Sequence, residues 1–351
     1  MNRLDIVISY AREAFFSCFL LFASSMSVWA DIEINETTFP DEEFRSWILR
    51  QSYGADGMLT DEEIANVTRI TVMAGRNIQS LKGIEYFTAL THLNCGSNHL
   101  TALDVSKCTK LEVLYCDWNQ LASLDVSKNT ALKDLVCGAN PLTTLDISMN
   151  TALTNLACGQ SQLTSLDVSK NIAMTQLSCN SNQLTSLDVS KNTALVYLSC
   201  QSNQLASLDV SKNTTLQRLI CKDNQLTSLN VAGCPELEEI ICYSNRIKGE
   251  AMNVLVAGLS TSGGFLGVIN YKDEQNEMTK SQVAAAKAKG WYVRYNDNNQ
   301  WQNYEGSDDP TGIVSPLGET EEGAIFDLQG HKLSGKPERG IYIESGKKKV
   351  K

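Results

Sequence analysis

Leu184 to Leu205 reads LTSLDVSKNTALVYLSCQSNQL, and nearly the same line returns every 21 residues. Cysteine marks the period most clearly. Cys95, Cys116, Cys137, Cys158, Cys179, Cys200, Cys221 and Cys242 form an unbroken series with a step of 21. Around each lies the frame L-x-x-L-x-C-x-x-N-x-L, here Leu195, Leu198, Cys200, Asn203 and Leu205. Across the eight lines Met174, Ile240 and Ile247 (for Leu) and Ser161 (for Asn) are the departures from it.

This spacing is the leucine-rich-repeat signature with Cys in the third apolar slot. Leu198 and Cys200 are two apart, so both side chains point to one side of an extended segment, and the residues between them point to the other. After the Asn the chain turns, and Leu187 and Val189 alternate with Ser186 and Asp188, which predicts a second extended segment on the opposite wall. One coil has too little apolar surface to stand alone, so coils stack and share a core. The Asn is expected to bond orphaned backbone groups inside the turn, as an internal ladder. The fold class is therefore a repeat solenoid: a leucine-rich-repeat parallel β-stack with an N-terminal helical cap, a C-terminal α/β cap and a small terminal β module.

The domains follow from where the period starts and stops. Residues 1–30 read as a signal peptide, with Arg3 and Arg12 before the apolar run from Ala14 to Ala23 and small residues near Ala30. Residues 31–66 read as the helical cap, with helix starts at Thr37–Glu43 and Thr60–Ile64. Between them Asp56-Gly57 imitates half of a calcium loop, but Ser52 and Gly54 stand at its first ligand positions and are poor ligands. The solenoid spans 67–246, the α/β cap 247–306, an acidic linker rich in Gly, Pro and Ser 307–322, and the β module 323–351.

Charge and cysteine usage narrow the function. The net charge is −10 and no basic stripe occurs, which argues against nucleic acid. No run reaches the length of a membrane span. Eleven cysteines in a secreted chain ordinarily signal disulfides. Here the ladder thiols run parallel into the core about 4.8 Å apart, facing one way, and so are read as small buried hydrophobes. Asp104, Asp125, Asp146, Asp167, Asp188 and Asp209 form an acidic file, with Lys107, Lys128, Lys170, Lys191 and Lys212 three residues on. This is a structural device of the D-V-S-K-N turn.

Information lies where the repeats differ. The outward pairs run His92/Asn94, Val113/Tyr115, Asp134/Val136, Asn155/Ala157, Gln176/Ser178, Tyr197/Ser199, Arg218/Ile220 and Glu239/Ile241. Exposed Trp and Tyr are the side chains most enriched in binding hot spots. The candidate binding residues are Tyr115, Asp117, Trp118, His92 and Asp134 near one end, and Tyr197, Arg218, Lys222 and Tyr243 near the other. No catalytic or metal residues and no cofactor are expected: beyond the signal only His92, His99 and His331 occur, with no nucleophile motif or metal-ligand spacing.

INETTFPDEEFRSWILRQ, SLKGIEYFTALTHLNC, NQLTSLDVSKNTAL and AKAKGWYV resemble the secreted leucine-rich-repeat proteins of Bacteroidota, whose coils are similar to those of internalins. FDLQGHKLSGKPERGIYI resembles the C-terminal sorting domain of type IX secretion in that phylum, though it is shorter. The resemblance implies a secreted or outer-surface protein that recognises an extracellular protein or glycan. It supplies no ligand and no site residues. The competing expectation is a surface-layer spacer with no specific ligand.

Overall fold

The computed structural model describes residues 31–72, 75–270 and 274–308, together with the backbone of four short strands between 325 and 350. The signal peptide expected at 1–30 and most of the linker expected at 307–322 lie outside the described residues. The chain divides into two compact units, one through Leu184 and the other from Thr185.

The first unit opens with a small cap. Strand β1 (Ile32–Glu33) pairs antiparallel with β2 (Met58–Leu59). Helix α1 (Glu42–Ile48) is capped by Asp41 and buries Phe44, Trp47 and Ile48. Helix α2 (Asp61–Asn66) starts with a full capping box between Thr60 and Glu63. Asp41 also ties the cap to the coil beyond it: Oδ1 accepts from Phe44 N, while Oδ2 accepts from Gln79 N at 2.8 Å and Ser80 N at 3.0 Å.

The coils follow as a parallel ladder: β3 (Arg69–Thr71), β4 (His92–Asn94), β5 (Val113–Tyr115), β6 (Asp134–Val136), β7 (Asn155–Ala157) and β8 (Gln176–Ser178). From β4 onward each pairs with the next at a separation of 21, so one sequence position is one register position. The middle residue of every strand is a Leu or Ile with 0% exposure, and the residue that follows, Val72 after β3 and a cysteine after the others, is also in the core.

The second unit begins with the same arrangement in β9 (Tyr197–Ser199), β10 (Arg218–Ile220) and β11 (Glu239–Ile241). The period then gives way to α3 (Glu250–Gly258), β12 (Gly264–Asn270), α4 (Lys280–Ala288) and β13 (Trp291–Asp297). Strands β12 and β13 extend the parallel ladder, and β14 (Gln300–Asn303) folds back antiparallel on β13. The backbone of β15 (Ile325–Phe326), β16 (Lys332–Leu333), β17 (Ile341–Glu344) and β18 (Lys347–Val350) forms a separate antiparallel sheet in the order β16-β15-β17-β18.

The Asn of each frame does what orphaned turn groups require. Asn119 Nδ2 donates to Cys95 O at 3.0 Å and Cys116 O at 3.1 Å, while its Oδ1 accepts from Leu100 N. Asn140, Asn182, Asn224 and Asn245 repeat the pattern, and Asn276 adds a further rung beyond the periodic region by donating to Cys242 O and Val268 O. Ser161 interrupts the file, and its buried Oγ has no partner.

The second wall forms almost no ladder: among the described residues its only β-bridge is Asp209↔Asn230. The reason is that its amides are used locally. Ser106, Ser127, Ser148, Ser169, Ser190 and Ser211 each donate their N–H to the Asp two residues earlier, at 2.8–2.9 Å. Coils are joined there by a second asparagine file at the end of D-V-S-K-N. Asn129, Asn150, Asn171 and Asn213 are wholly buried, and each Nδ2 donates to two carbonyls of the preceding coil. Cys108 and Cys234 stand at the equivalent position in the outer coils, and each Sγ donates to one carbonyl, Ile84 O and Val210 O. All ten described cysteines are buried and unbridged.

Candidate functional site

Each coil needs one residue with a left-handed backbone just past the cysteine, where the chain swings out of the strand. In the first unit these are Ser97, Trp118, Ala139, Gln160 and Ser181, with φ between 53° and 56°. That conformation crowds Cβ against the following carbonyl, so Gly, Asn and short polar residues suit it best. Trp118 suits it poorly and leaves 60% of its surface exposed. A strained, exposed aromatic that the coil does not need for packing points to a role beyond folding.

Trp118 forms a wall common to two hollows of the first unit. One, about 140 Å³, lies toward the strand face, floored by Gly138 and Gly159 and rimmed by Asp117, Ser178 and Asn180. The other, about 370 Å³, lies toward the turn edge beside Pro141, Gln160 and Ser161. Neither glycine has room for a side chain: a Cβ on Gly138 would lie 2.5 Å from the backbone Gly159 O, and one on Gly159 would lie 2.4 Å from the side-chain Asn180 Oδ1.

The remaining candidates of this unit gather on the neighbouring strands. The Tyr115 hydroxyl donates to Asp134 Oδ2 at 2.6 Å, and Asn155 Nδ2 donates to Asp134 Oδ1 at 2.7 Å. The hydrogen bond to Asp134, aided by burial, pushes the Tyr115 phenol up to about 12. Asp134 is thus committed on both oxygens. His92, half-buried on β4, has its Nδ1 2.8 Å from Thr91 Oγ1. Asp117 differs: its carboxylate is partly buried, has no ion pair among the described residues, and burial raises its pKa.

In the second unit the candidates pair with each other. The Arg218 guanidinium lies over the Tyr197 ring, 5.5 Å from its centroid, and forms an ion pair with Glu239. Lys222 Nζ donates to Tyr243 OH at 2.6 Å. Tyr243 does not offer the exposed ring that its place in the repeat suggests. It is 6% exposed and packs edge-on against Trp301 of β14, 5.9 Å between centroids. Trp301 also meets Phe265 at 4.8 Å and lies on Gly267, whose added Cβ would be 2.6 Å from the indole. Trp301 was absent from the sequence-derived set. The signal for it was Gly267 inside an otherwise apolar strand, since such a glycine marks a close approach.

Among the described residues no group of three His, Cys, Asp or Glu side chains could hold a metal ion. No helix of the described residues is long and apolar enough to cross a membrane.

No protein-family model matches the chain, and neither does any curated protein. Solved structures do. The functional domain of InlJ from Listeria monocytogenes, described as including a cysteine ladder, shares 33% identity at a TM-score of 0.65 over 75% of this chain. This chain spans 56% of that structure. An internalin, InlF, from Listeria monocytogenes aligns over 77% of this chain and 92% of its own, with 22% identity and a TM-score of 0.55. The fold is thus that of a leucine-rich-repeat solenoid whose structural neighbours are internalin-type proteins.

Proposed function

We propose that this protein is a non-enzymatic recognition module, secreted or held at the outer cell surface, that binds an extracellular protein or glycan through the strand face of its coils. The observation that carries this reading is Trp118: exposed, in a backbone slot that disfavours it, and at the wall of two hollows. The internalin-type neighbours support an interaction role. The basic and apolar segments before Ala30 and the sorting-like C-terminal sequence support export.

In the proposed site Trp118 is the anchor, with Tyr115, Asp117, Asp134 and His92 around it. Tyr197, Arg218 and Lys222 are the secondary candidates, and Tyr243 contributes by holding Lys222. The test is to screen the intact protein on an array of extracellular proteins beside a glycan array, then repeat each hit with variants. Trp118→Ala and Tyr115→Ala should each weaken a genuine hit by ~1–3 kcal/mol. Lys170→Ala, on the opposite wall, should leave it unchanged. A ligand whose affinity survives the Trp118→Ala/Tyr115→Ala double variant refutes this site.

A further inference from the structure

The strand-side hollow holds a carboxylate with nothing to pair with. Asp117 lies on its rim, partly withdrawn from water, and no Lys, Arg or His among the described residues forms an ion pair with it. The other acid nearby, Asp134, already accepts from Tyr115 and Asn155, which leaves Asp117 as the less engaged of the two. Next to Asp117 stands the exposed Trp118 ring, and an indole face attracts a cation more strongly than the other aromatic rings do. Gly138 and Gly159 put no side chain of their own on the floor, and the Asn180 carboxamide lies beside Gly159, so a planar group can rest against backbone and amide. At about 140 Å³ the hollow is below the ~300–1,000 Å³ typical of small-molecule sites. It is sized for one side chain or a probe that carries one.

We infer that this hollow receives an arginine side chain of a protein partner, with the guanidinium stacked on Trp118 and paired to Asp117. The inference rests on the recognition role proposed above and narrows it from a protein or glycan to a protein. Arginine fits better than lysine because its planar fork can pair with a carboxylate while stacking on an aromatic face. Ser178 Oγ on the far rim is a further acceptor within the same hollow. The net charge of −10 favours a basic partner over long range.

The test uses the full chain and defined probes: Nα-acetyl-arginine methylamide, its lysine counterpart, the uncharged citrulline isostere, and a panel of methyl glycosides. The readout is the indole N–H resonance of Trp118, assigned by its loss in Trp118→Ser. Arginine should shift that resonance saturably, lysine more weakly, and citrulline about tenfold more weakly than arginine. Asp117→Asn, with an unchanged melting temperature, should remove the preference for arginine over citrulline. The inference is overturned if citrulline binds as well as arginine, if arginine does not bind, or if a methyl glycoside alone binds. The last outcome would leave the recognition role standing with a glycan ligand. By contrast, loss of the array hits' sensitivity to Trp118→Ala would remove the site itself.

Discussion

Asn150 offers the sharpest test of how the coils are joined. It is wholly buried, and its Nδ2 donates to Val126 O at 3.0 Å and Asn129 O at 2.9 Å. Asn150→Ala removes both bonds, but Val126 O still accepts from Asn129 N and Asn129 O from Leu132 N, so each lost bond costs only ~0.5–1.5 kcal/mol. Its own buried Oδ1 has no partner, so losing it returns about 1 kcal/mol. The net expected cost is roughly 0–2 kcal/mol, centred near 1. Asn150→Cys separates the donor argument from a packing one. Cys108 and Cys234 occupy this position in other coils and each satisfies one carbonyl. A cysteine here should therefore recover about half the loss, since one of two donors returns. Urea unfolding followed by far-UV circular dichroism gives both values from the midpoint shifts, provided the slope is unchanged. If Asn150→Cys is no more stable than Asn150→Ala, the position does not select for donors. If Asn150→Ala leaves the protein as stable or more stable, the file does not hold the wall together.

Two further predictions concern the thiols and the cap. Burial pushes Cys95, Cys158 and Cys200 up to about 12 from an ordinary 9.0. Because the folded value is raised, the stability they contribute is complete below about pH 9 and is lost as pH climbs toward 12, by about 1.4 kcal/mol per thiol per pH unit. The urea midpoint should fall steeply between pH 9 and about 10.5, less so in Cys158→Ala, with no thiol labelling before unfolding; a flat profile contradicts this. Asp41→Ala removes the α1 cap and both bonds to Gln79 and Ser80, so it should destabilise the cap by ~2–4 kcal/mol. Amide exchange should then accelerate in residues 31–66 ahead of the coils, and uniform protection would show that Asp41 is not the tie.

What the sequence disclosed was whatever repeats. The cysteine series set the register, and the pairs Val113/Tyr115 and Asp134/Val136 turned out to be the first and last residues of β5 and β6. What it concealed was non-local or chemically disguised. Asn129 and Asn150 sit in a run of turn residues and read as exposed, because only the stacked neighbour that supplies their acceptors buries them. The left-handed slot holds Ser, Trp, Ala, Gln or Asp and never Gly, so no residue type announced the strain at Trp118. Tyr243 looked free because Trp301, which covers it, arrives from far along the chain on β14. Tyr115 and Asp134 were singled out as neighbours on adjacent strands, and the hydrogen bond between them follows from that adjacency.

The two asparagine files also make length a quantised property of this protein. Asn119 and Asn140 reach back to Cys95 and Cys116 over the same 24 positions, and Asn129 and Asn150 reach back to Val105 and Val126 likewise. A coil therefore receives and passes on one fixed set of connections, whatever its outward side chains. Excising residues 137–157 would join Val136 to Cys158 and keep every junction in step, with Ser161 in the place of Asn140. Removing 20 or 22 residues would throw each later junction out of step. Copying errors that gain or lose whole periods are tolerated on these terms, so the extent of a binding face can drift in increments of about 4.8 Å while its caps stay the same.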